Sequence, residues 1–156
     1  MKPKSLKDIV FVGLQFLLLI AFIIDIQIYT LPDILPDFVY GFLSAIALAI
    51  FISSILKLNT NLSPFPSPKT NSKLITSGIF KYIRHPIYTA LILGLLSWSL
   101  YKNSLFQLCT TLALIVLFYF KSKFEEQQLL KKFPRYKSYM KSSGRFLPKT
   151  LIFNKT

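Results

Sequence analysis

The chain has 156 residues, of which 53% are hydrophobic and only 16% charged, and its formal net charge is +13. This composition excludes disordered, collagen-like and disulfide-stapled proteins. The apolar residues form long uncharged runs, which argues against a soluble domain with a single core. The positive charge therefore indicates membrane topology and contact with lipid headgroups first, and we expect no nucleic-acid partner because no basic, aromatic-rich soluble module is visible.

Four apolar runs predict four transmembrane helices, at about residues 9–31, 38–57, 86–101 and 104–121. A hydrocarbon core is about 30 Å thick and a helix rises about 1.5 Å per residue, so the first two runs are long enough to span it. The last two are short, and only two residues separate them, which predicts a tight helical hairpin. A secretory signal peptide is the competing interpretation of the first run, but no small-residue cleavage site follows it.

The distribution of charge predicts the topology. Lysines precede the first helix, and more Lys and Arg fall in the 58–85 loop and in the 122–156 segment, whereas the 32–37 turn carries two Asp and no Lys or Arg. The positive-inside rule then places both termini, the loop and the C-terminal segment in the cytoplasm, with Lys102 as the exception. We therefore expect an all-α, multi-pass integral membrane protein with one domain over residues 1–156.

Asp25 is the one charged residue within the first run. An ionisable side chain in a membrane helix is a candidate functional group. Its position shortly before Pro32 favours the simpler interpretation, in which the side chain reaches the outer interface.

The fourth helix is expected to continue beyond the membrane, because apolar residues keep helical spacing until Pro134 breaks the pattern. This extension carries Glu125 and Glu126 just past the lipid. A short further helix would carry Tyr136 and Tyr139, with their rings resting on the membrane interface.

The polar residues that could do chemistry are few. Glu125 and Glu126 are the only acids after residue 37 and either balance nearby cations or hold a cationic ligand. His85, the only histidine, is either a helix-start imidazole at headgroup level or a functional group. The scattered glycines form no dinucleotide or phosphate loop, and one His with one Cys, Cys109, excludes the usual zinc arrangements, so we expect no metal.

Two stretches resemble the signatures of one family. LITSGIFKYIRHPIY at 74–88 resembles the LVTSGPYrYvRHPxY signature of the isoprenylcysteine carboxyl methyltransferase family, which is related to the phospholipid methyltransferases. EEQQLLKKFPRYKSYMKSSGRFLP at 125–148 resembles that family's second block, EExxLxxxFGxxYxxYxxxVxRFxP. Together with the preceding loop the resemblance covers about residues 59–148. The departures at Ile79, Phe80, Ala90 and Pro134 affect loop and packing positions and bear on the substrate more than on the reaction class.

The resemblance implies a membrane enzyme that transfers a methyl group from S-adenosylmethionine, bound in a cytoplasmic pocket without a Rossmann domain. Carried over by position, it implies that the cofactor is contacted by His85, Pro86, Ile87, Tyr88 and Glu125, and that Lys121 faces the substrate.

The charges and rings of this donor suggest further roles. Glu125 or Glu126 can take its ammonium, and Tyr82 or Tyr88 can face its sulfonium. Arg84 or His85 can bind its carboxylate. Lys121, Arg84 or Arg145 can hold an acceptor. We therefore expect catalytic roles for Arg84, His85 and Glu125.

The acceptor remains open among lipidic and small molecules. A carboxylate, as in isoprenylcysteine carboxyl methylation, needs no general base, whereas a phospholipid amine or a thiol would need His85. The alternatives are an NADPH-dependent membrane reductase and a non-enzymatic membrane adaptor. The sequence gives no indication of oligomeric state.

Overall fold

The structure is a computed structural model that describes residues 5–24, 26 and 29–149. Five helices form this part of the chain: α1 Leu6–Ile24, α2 Asp37–Leu58, α3 Pro86–Tyr101, α4 Leu105–Lys132 and α5 Tyr136–Ser142. Single 3₁₀ turns lie at Asn59–Asn61 and Gly78–Lys81. Among the described residues the only β pairing consists of two isolated bridges, so the fold is all-helical, as the sequence predicts.

Three helices, α1, α2 and α4, are long and apolar enough to cross a membrane. Many of their large apolar side chains are exposed, including Phe16, Leu17, Phe42, Leu48 and Val116. Such a surface is stable only in lipid, so the chain is a membrane protein. Helix α3 is apolar too, but its 16 residues extend only about 24 Å, so a fourth crossing remains a prediction.

Helix α2 packs on α3, α3 packs on α4, and α4 packs on α1. Buried hydroxyls join α2 to α3, where Ser97 Oγ donates to the Tyr40 carbonyl at 2.8 Å and lies 3.2 Å from Ser44 Oγ. Between α4 and α1, Gln107 Nε2 donates to the Phe22 carbonyl at 3.2 Å. Within the described residues, no packing of comparable extent joins α1 to α2.

The first helix ends at Ile24 rather than near residue 31. The chain that follows pairs with the turn between α3 and α4: the Leu31 amide donates to the Asn103 carbonyl at 2.7 Å, and the Leu105 amide donates to the Tyr29 carbonyl at 3.2 Å. These long-range bonds replace further helical bonds, and the periodicity of the sequence contains no sign of them. Asp25 lies outside the described residues.

Helix α4 continues beyond the predicted membrane segment. Its 28 residues extend about 42 Å, so the part after residue 121 reaches past a hydrocarbon core of about 30 Å. It ends at Lys132, and α5 begins four residues later, at Tyr136.

The residues outside the long helices at this end of the bundle form what we call the cap, residues 59–85 and 133–149. Asp8 at the start of α1 accepts from the Ser67 amide at 3.0 Å. Lys132 at the end of α4 donates to the Thr70 carbonyl and to Ser72 Oγ, both at 2.8 Å. The ends of two membrane helices therefore hold the 59–85 loop over the bundle.

The tyrosines of α5 do not lie on the membrane interface, contrary to the sequence-based expectation. Both are buried in the cap, and Tyr139 Oη donates to the Phe80 carbonyl. Their rings pack edge-on at 5.7 Å. The amphipathic spacing that suggested lipid contact serves instead to pack α5 against the 59–85 loop.

Candidate active site

The two predicted motifs meet through their backbones. The Arg84 amide donates to the Gly144 carbonyl at 2.8 Å, the His85 amide to the Arg145 carbonyl at 3.1 Å, and the Gly144 amide to the Tyr82 carbonyl at 2.9 Å. Gly144 is required at this crossing because an added Cβ would lie 1.7 Å from the Leu147 carbonyl oxygen. The chain therefore places residues 82–85 beside residues 144–145.

Glu126 is the centre of a buried ion network. Arg84 Nε lies 2.8 Å from its Oε1, and Arg145 Nη2 lies 2.5 Å from its Oε2. His85 Nε2 is 3.3 Å from Oε1. Burial by itself would raise the pKa of Glu126, which is only 2% exposed, but the hydrogen bonds from His85, Arg145 and Arg84 lower that pKa to about 2. The carboxylate is therefore ionised and fully committed to its protein partners.

Glu125, the preceding residue on α4, has a different environment. Tyr88 Oη donates to its Oε2 at 3.0 Å, and His85 Nδ1 lies 3.7 Å from the same oxygen. Its side chain is 28% exposed and is bound by no arginine in the described part of the chain. Glu125 can therefore accept a hydrogen bond from a ligand, whereas Glu126 is buried and already has three partners.

Tyr88 lies at the centre of a stack. Its ring is parallel to that of His85 at 5.5 Å between centroids and to that of Phe118 at 4.7 Å. Lys121 Nζ lies 5.4 Å from the Tyr88 ring centroid and donates to Gln15 Oε1 on α1. Lys121 is only 1% exposed, so its ammonium is held inside the bundle by a neutral amide and an aromatic ring.

Two neighbouring cavities open beside these residues. The first cavity has a volume of about 390 Å³, and its wall comes from all four long helices and the cap, including Gln15, Leu19, Phe51, Ile55, Arg84, His85, Pro86, Ile87, Tyr88, Leu91, Lys121 and Glu125. The second cavity, of about 120 Å³, lies in the cap and is lined by residues that include Asn61, Lys69, Lys73, Arg84, Glu125 and Tyr136. Arg84 and Glu125 line both cavities and mark where they meet.

Comparisons with known proteins identify the family of this chain. The family model described as phospholipid methyltransferase matches residues 37–136, well over half of the chain. The chain belongs to the phospholipid methyltransferase family. The expected family relationship is thereby confirmed, and with it the membership of a group of membrane methyltransferases.

A solved structure supports the fold. The eukaryotic intramembrane Ras methyltransferase ICMT, an isoprenylcysteine carboxyl methyltransferase, matches with a TM-score of 0.56 at 20% identity, over 94% of this chain and 54% of that one. The chain thus spans about half the length of this neighbour, and at this identity the likeness shows the fold alone. No protein of curated function matches the sequence significantly.

Most of the predicted site residues of this family member meet at the first cavity. Its wall contains seven of them: Arg84, His85, Pro86, Ile87, Tyr88, Lys121 and Glu125. Three others lie elsewhere. Glu126 and Arg145 pair with each other and line neither of the two cavities. Tyr82 is 52% exposed, with Lys81 Nζ 5.7 Å from its ring centroid, and lines neither of the two cavities.

Sequence reasoning missed Gln15 and Asp8. Gln15 interrupts an apolar run, and a buried polar group in a membrane helix needs a partner, which here is Lys121. Asp8 stands at the start of the same helix and accepts from Ser5 and Ser67. In both cases the available signal was a polar residue within an otherwise apolar helix.

Within the described ranges no group of three or more His, Cys, Asp or Glu side chains could hold a metal ion.

Proposed function

We propose that the protein is an S-adenosylmethionine-dependent methyltransferase that methylates a carboxylate on a lipidic acceptor at the cytoplasmic membrane face. One observation carries the proposal: Glu125 presents a partly exposed carboxylate at the junction of two cavities, beside His85 and Tyr88. A cationic donor and an apolar acceptor can meet at such a junction.

The donor side is formed by charged residues. Glu125 would bind the ammonium of the methyl donor or a ribose hydroxyl through a charge-assisted hydrogen bond. Arg84, at the border of both cavities, would attract the donor's carboxylate. The ring of Tyr88 already stacks with His85 and Phe118, so we assign the attraction for the sulfonium to Glu125 rather than to an aromatic face.

The acceptor side is the apolar part of the first cavity. Leu19, Phe51, Ile55 and Leu91 come from three different helices and give it an apolar wall that suits a hydrocarbon chain. The buried ammonium of Lys121 would hold the acceptor's carboxylate. Since no extensive packing joins α1 to α2 among the described residues, the lateral route that we propose for the acceptor runs between these two helices.

The residues around Glu125 need only align the reactants. When bound, the donor supplies an electrophilic methyl group: a carboxylate lone pair forms the new C–O bond, and the electrons of the broken C–S bond neutralise the sulfonium, which leaves a methyl ester and a thioether. No proton is released from a carboxylate, so a general base is unnecessary and positioning supplies the rate enhancement. Four spans with both termini in the cytoplasm, as the charges predict, put the junction at the cytoplasmic side.

Binding of the donor is tested with detergent-purified protein. S-adenosylmethionine should raise the melting temperature in a saturable way, and NADPH should not. Glu125→Gln should abolish most of this stabilisation. Asp37→Asn, the same chemical change at the far end of α2, is the matched control and should leave it intact. A wild-type protein that shows no saturable response to S-adenosylmethionine contradicts the proposal.

The acceptor class is tested with membranes and methyl-labelled donor. A carboxyl methyl ester releases its label as volatile methanol in mild base, whereas an N-methylated lipid retains it. The description of the matching family makes a phospholipid amine the second candidate, in which case His85, in contact with both acids, would take the proton. Lys121→Gln should reduce labelling of a carboxylate far more than that of an amine, because only the carboxylate needs the ammonium.

A further inference from the structure

Tyr136 has a buried hydroxyl without a partner. The residue is 1% exposed, and its Oη makes no hydrogen bond with any described residue. Its neighbour on α5, Tyr139, is buried as well, but that hydroxyl donates to the Phe80 carbonyl. A buried polar group left unsatisfied costs about 1–3 kcal/mol, so the unpartnered hydroxyl of Tyr136 requires an explanation.

The position of Tyr136 suggests one. It lines the second cavity together with Arg84 and Glu125, the two charged residues among the five that this cavity shares with the first. Burial and the nearby carboxylate of Glu126 both raise the pKa of Tyr136, so its phenol keeps its proton and can donate. The hydroxyl is thus an unused hydrogen-bond donor on a residue that lines the second cavity.

The second cavity favours an anionic group. Its wall contains the basic residues Lys69, Lys73 and Arg84 against a single acid, Glu125. The other acid of the region, Glu126, does not line this cavity and is paired with Arg84 and Arg145, so the excess of positive charge comes from Lys69 and Lys73. Positive charge thus exceeds negative charge around the space that Tyr136 borders.

We infer that Tyr136 is a binding residue, whose Oη donates a hydrogen bond to the carboxylate at the amino-acid end of the methyl donor, in the second cavity. This rests on the proposed function. The arrangement separates the two charges of an amino acid: Glu125 at the junction takes the ammonium, while Tyr136 and Arg84 take the carboxylate. The methyl-bearing part of the donor is then directed toward the first cavity and Lys121.

The test compares two probes and two variants. The probes are S-adenosylmethionine and its decarboxylated analogue, which lacks only the carboxylate. Tyr136→Phe removes only the hydroxyl, and Tyr139→Phe removes the corresponding hydroxyl that has a structural partner. For each protein in detergent, we would measure the melting temperature without ligand and the dissociation constant for each probe from ligand-dependent melting shifts.

Tyr136→Phe should weaken S-adenosylmethionine binding about tenfold, as expected for the loss of one hydrogen bond to a charged group. It should leave binding of the decarboxylated probe unchanged. Without ligand, the variant should melt at the wild-type temperature or above, because an unsatisfied hydroxyl has been removed. Tyr139→Phe should show the reverse pattern: a lower melting temperature, with the ratio of the two dissociation constants as in the wild type.

Each other outcome overturns the inference. Equal losses for both probes would mean that Tyr136 acts on the shape of the cavity and not on the carboxylate. Unchanged binding of both probes would leave the hydroxyl without a role in recognition. A destabilised Tyr136→Phe would show that the hydroxyl has a structural partner. If wild-type protein binds neither probe, the proposed function itself is wrong, which is a distinguishable result.

Discussion

The membrane bundle and the cap are stabilised in different ways. In the bundle, large apolar side chains face outward to lipid, and few polar contacts join the helices. The interior of the cap contains Tyr136 and Tyr139, and ion pairs of Arg84 and Arg145 with Glu126 join it to α4. The general hydrophobic pattern therefore determines the bundle, whereas single charges, hydroxyls and one glycine determine the cap. Similar substitutions should accordingly have unequal effects in the two regions.

The largest effect is expected for Glu126→Gln, where α4 meets the cap. The change preserves shape but leaves Arg84 and Arg145 without their shared counter-charge, and Arg84 is nearly buried. Breaking a buried ion pair on one side costs about 3–5 kcal/mol. The free energy of unfolding, measured in mixed micelles by circular dichroism, should fall by an amount in this range.

Glu125→Gln is the matched control for this experiment. The same chemical change one residue earlier removes a carboxylate that no arginine contacts within the described residues, so the stability of the unliganded protein should change little. Equal destabilisation by both variants would contradict the division of roles between the two acids.

The second prediction concerns Gly144→Ala. The new Cβ would overlap the Leu147 carbonyl oxygen, which is backbone and cannot rotate away, so the crossing of residues 82–85 with 144–145 must shift. Overpacking of this kind costs about 1–3 kcal/mol. Limited proteolysis should show earlier cleavage in the cap, and donor-dependent stabilisation should be lost because His85 moves with its backbone partner.

A bundle glycine provides the comparison. An added Cβ at Gly41, on α2, would meet no atom within 4 Å. Gly41→Ala should therefore be neutral, or raise stability by up to about 1 kcal/mol through helix propensity. A loss of stability at Gly41 as large as that at Gly144 would show that the two regions do not differ in packing tolerance.

The bundle was the more predictable region. Hydropathy predicts long apolar helices without any knowledge of contacts, and the described helices are indeed apolar. The end of α1 was not predictable in this way, because it depends on Leu31 bonding to Asn103, some seventy residues away in the sequence. Long-range backbone pairing leaves no periodic signal.

The sequence predicted which residues form the candidate site better than it predicted how their side chains are oriented. Most of the site residues selected from the sequence line the first cavity. It could not separate Glu125 from Glu126, since adjacent residues on a helix point in directions about 100° apart and only the packed structure shows which one faces the arginines. The same limit explains why Tyr136 was expected at the membrane surface and is found inside the cap.

The third prediction is a smaller effect in the cap. Tyr139→Phe removes one hydrogen bond, from Oη to the Phe80 carbonyl, and leaves that buried oxygen without this donor. The net worth of such a bond is about 1 kcal/mol. Unfolding in mixed micelles should show a loss of this size, and Tyr139→Trp, which adds volume without restoring the bond, should be worse than Tyr139→Phe.

The smallest effect is expected for Ser97→Ala in the bundle. Ser97 Oγ donates to the Tyr40 carbonyl and contacts Ser44 between α2 and α3, so it is the bundle's counterpart of Tyr139 in the cap. Interhelical hydrogen bonds in membranes average only about 0.6 kcal/mol, because the helices find other partners when separated. Ser97→Ala should therefore cost less than Tyr139→Phe in the same unfolding assay, although both remove one hydroxyl donor to a backbone carbonyl. If Ser97→Ala lost more stability than Tyr139→Phe, specific polar contacts rather than apolar packing would hold α2 to α3. The proposed difference between bundle and cap would then be wrong.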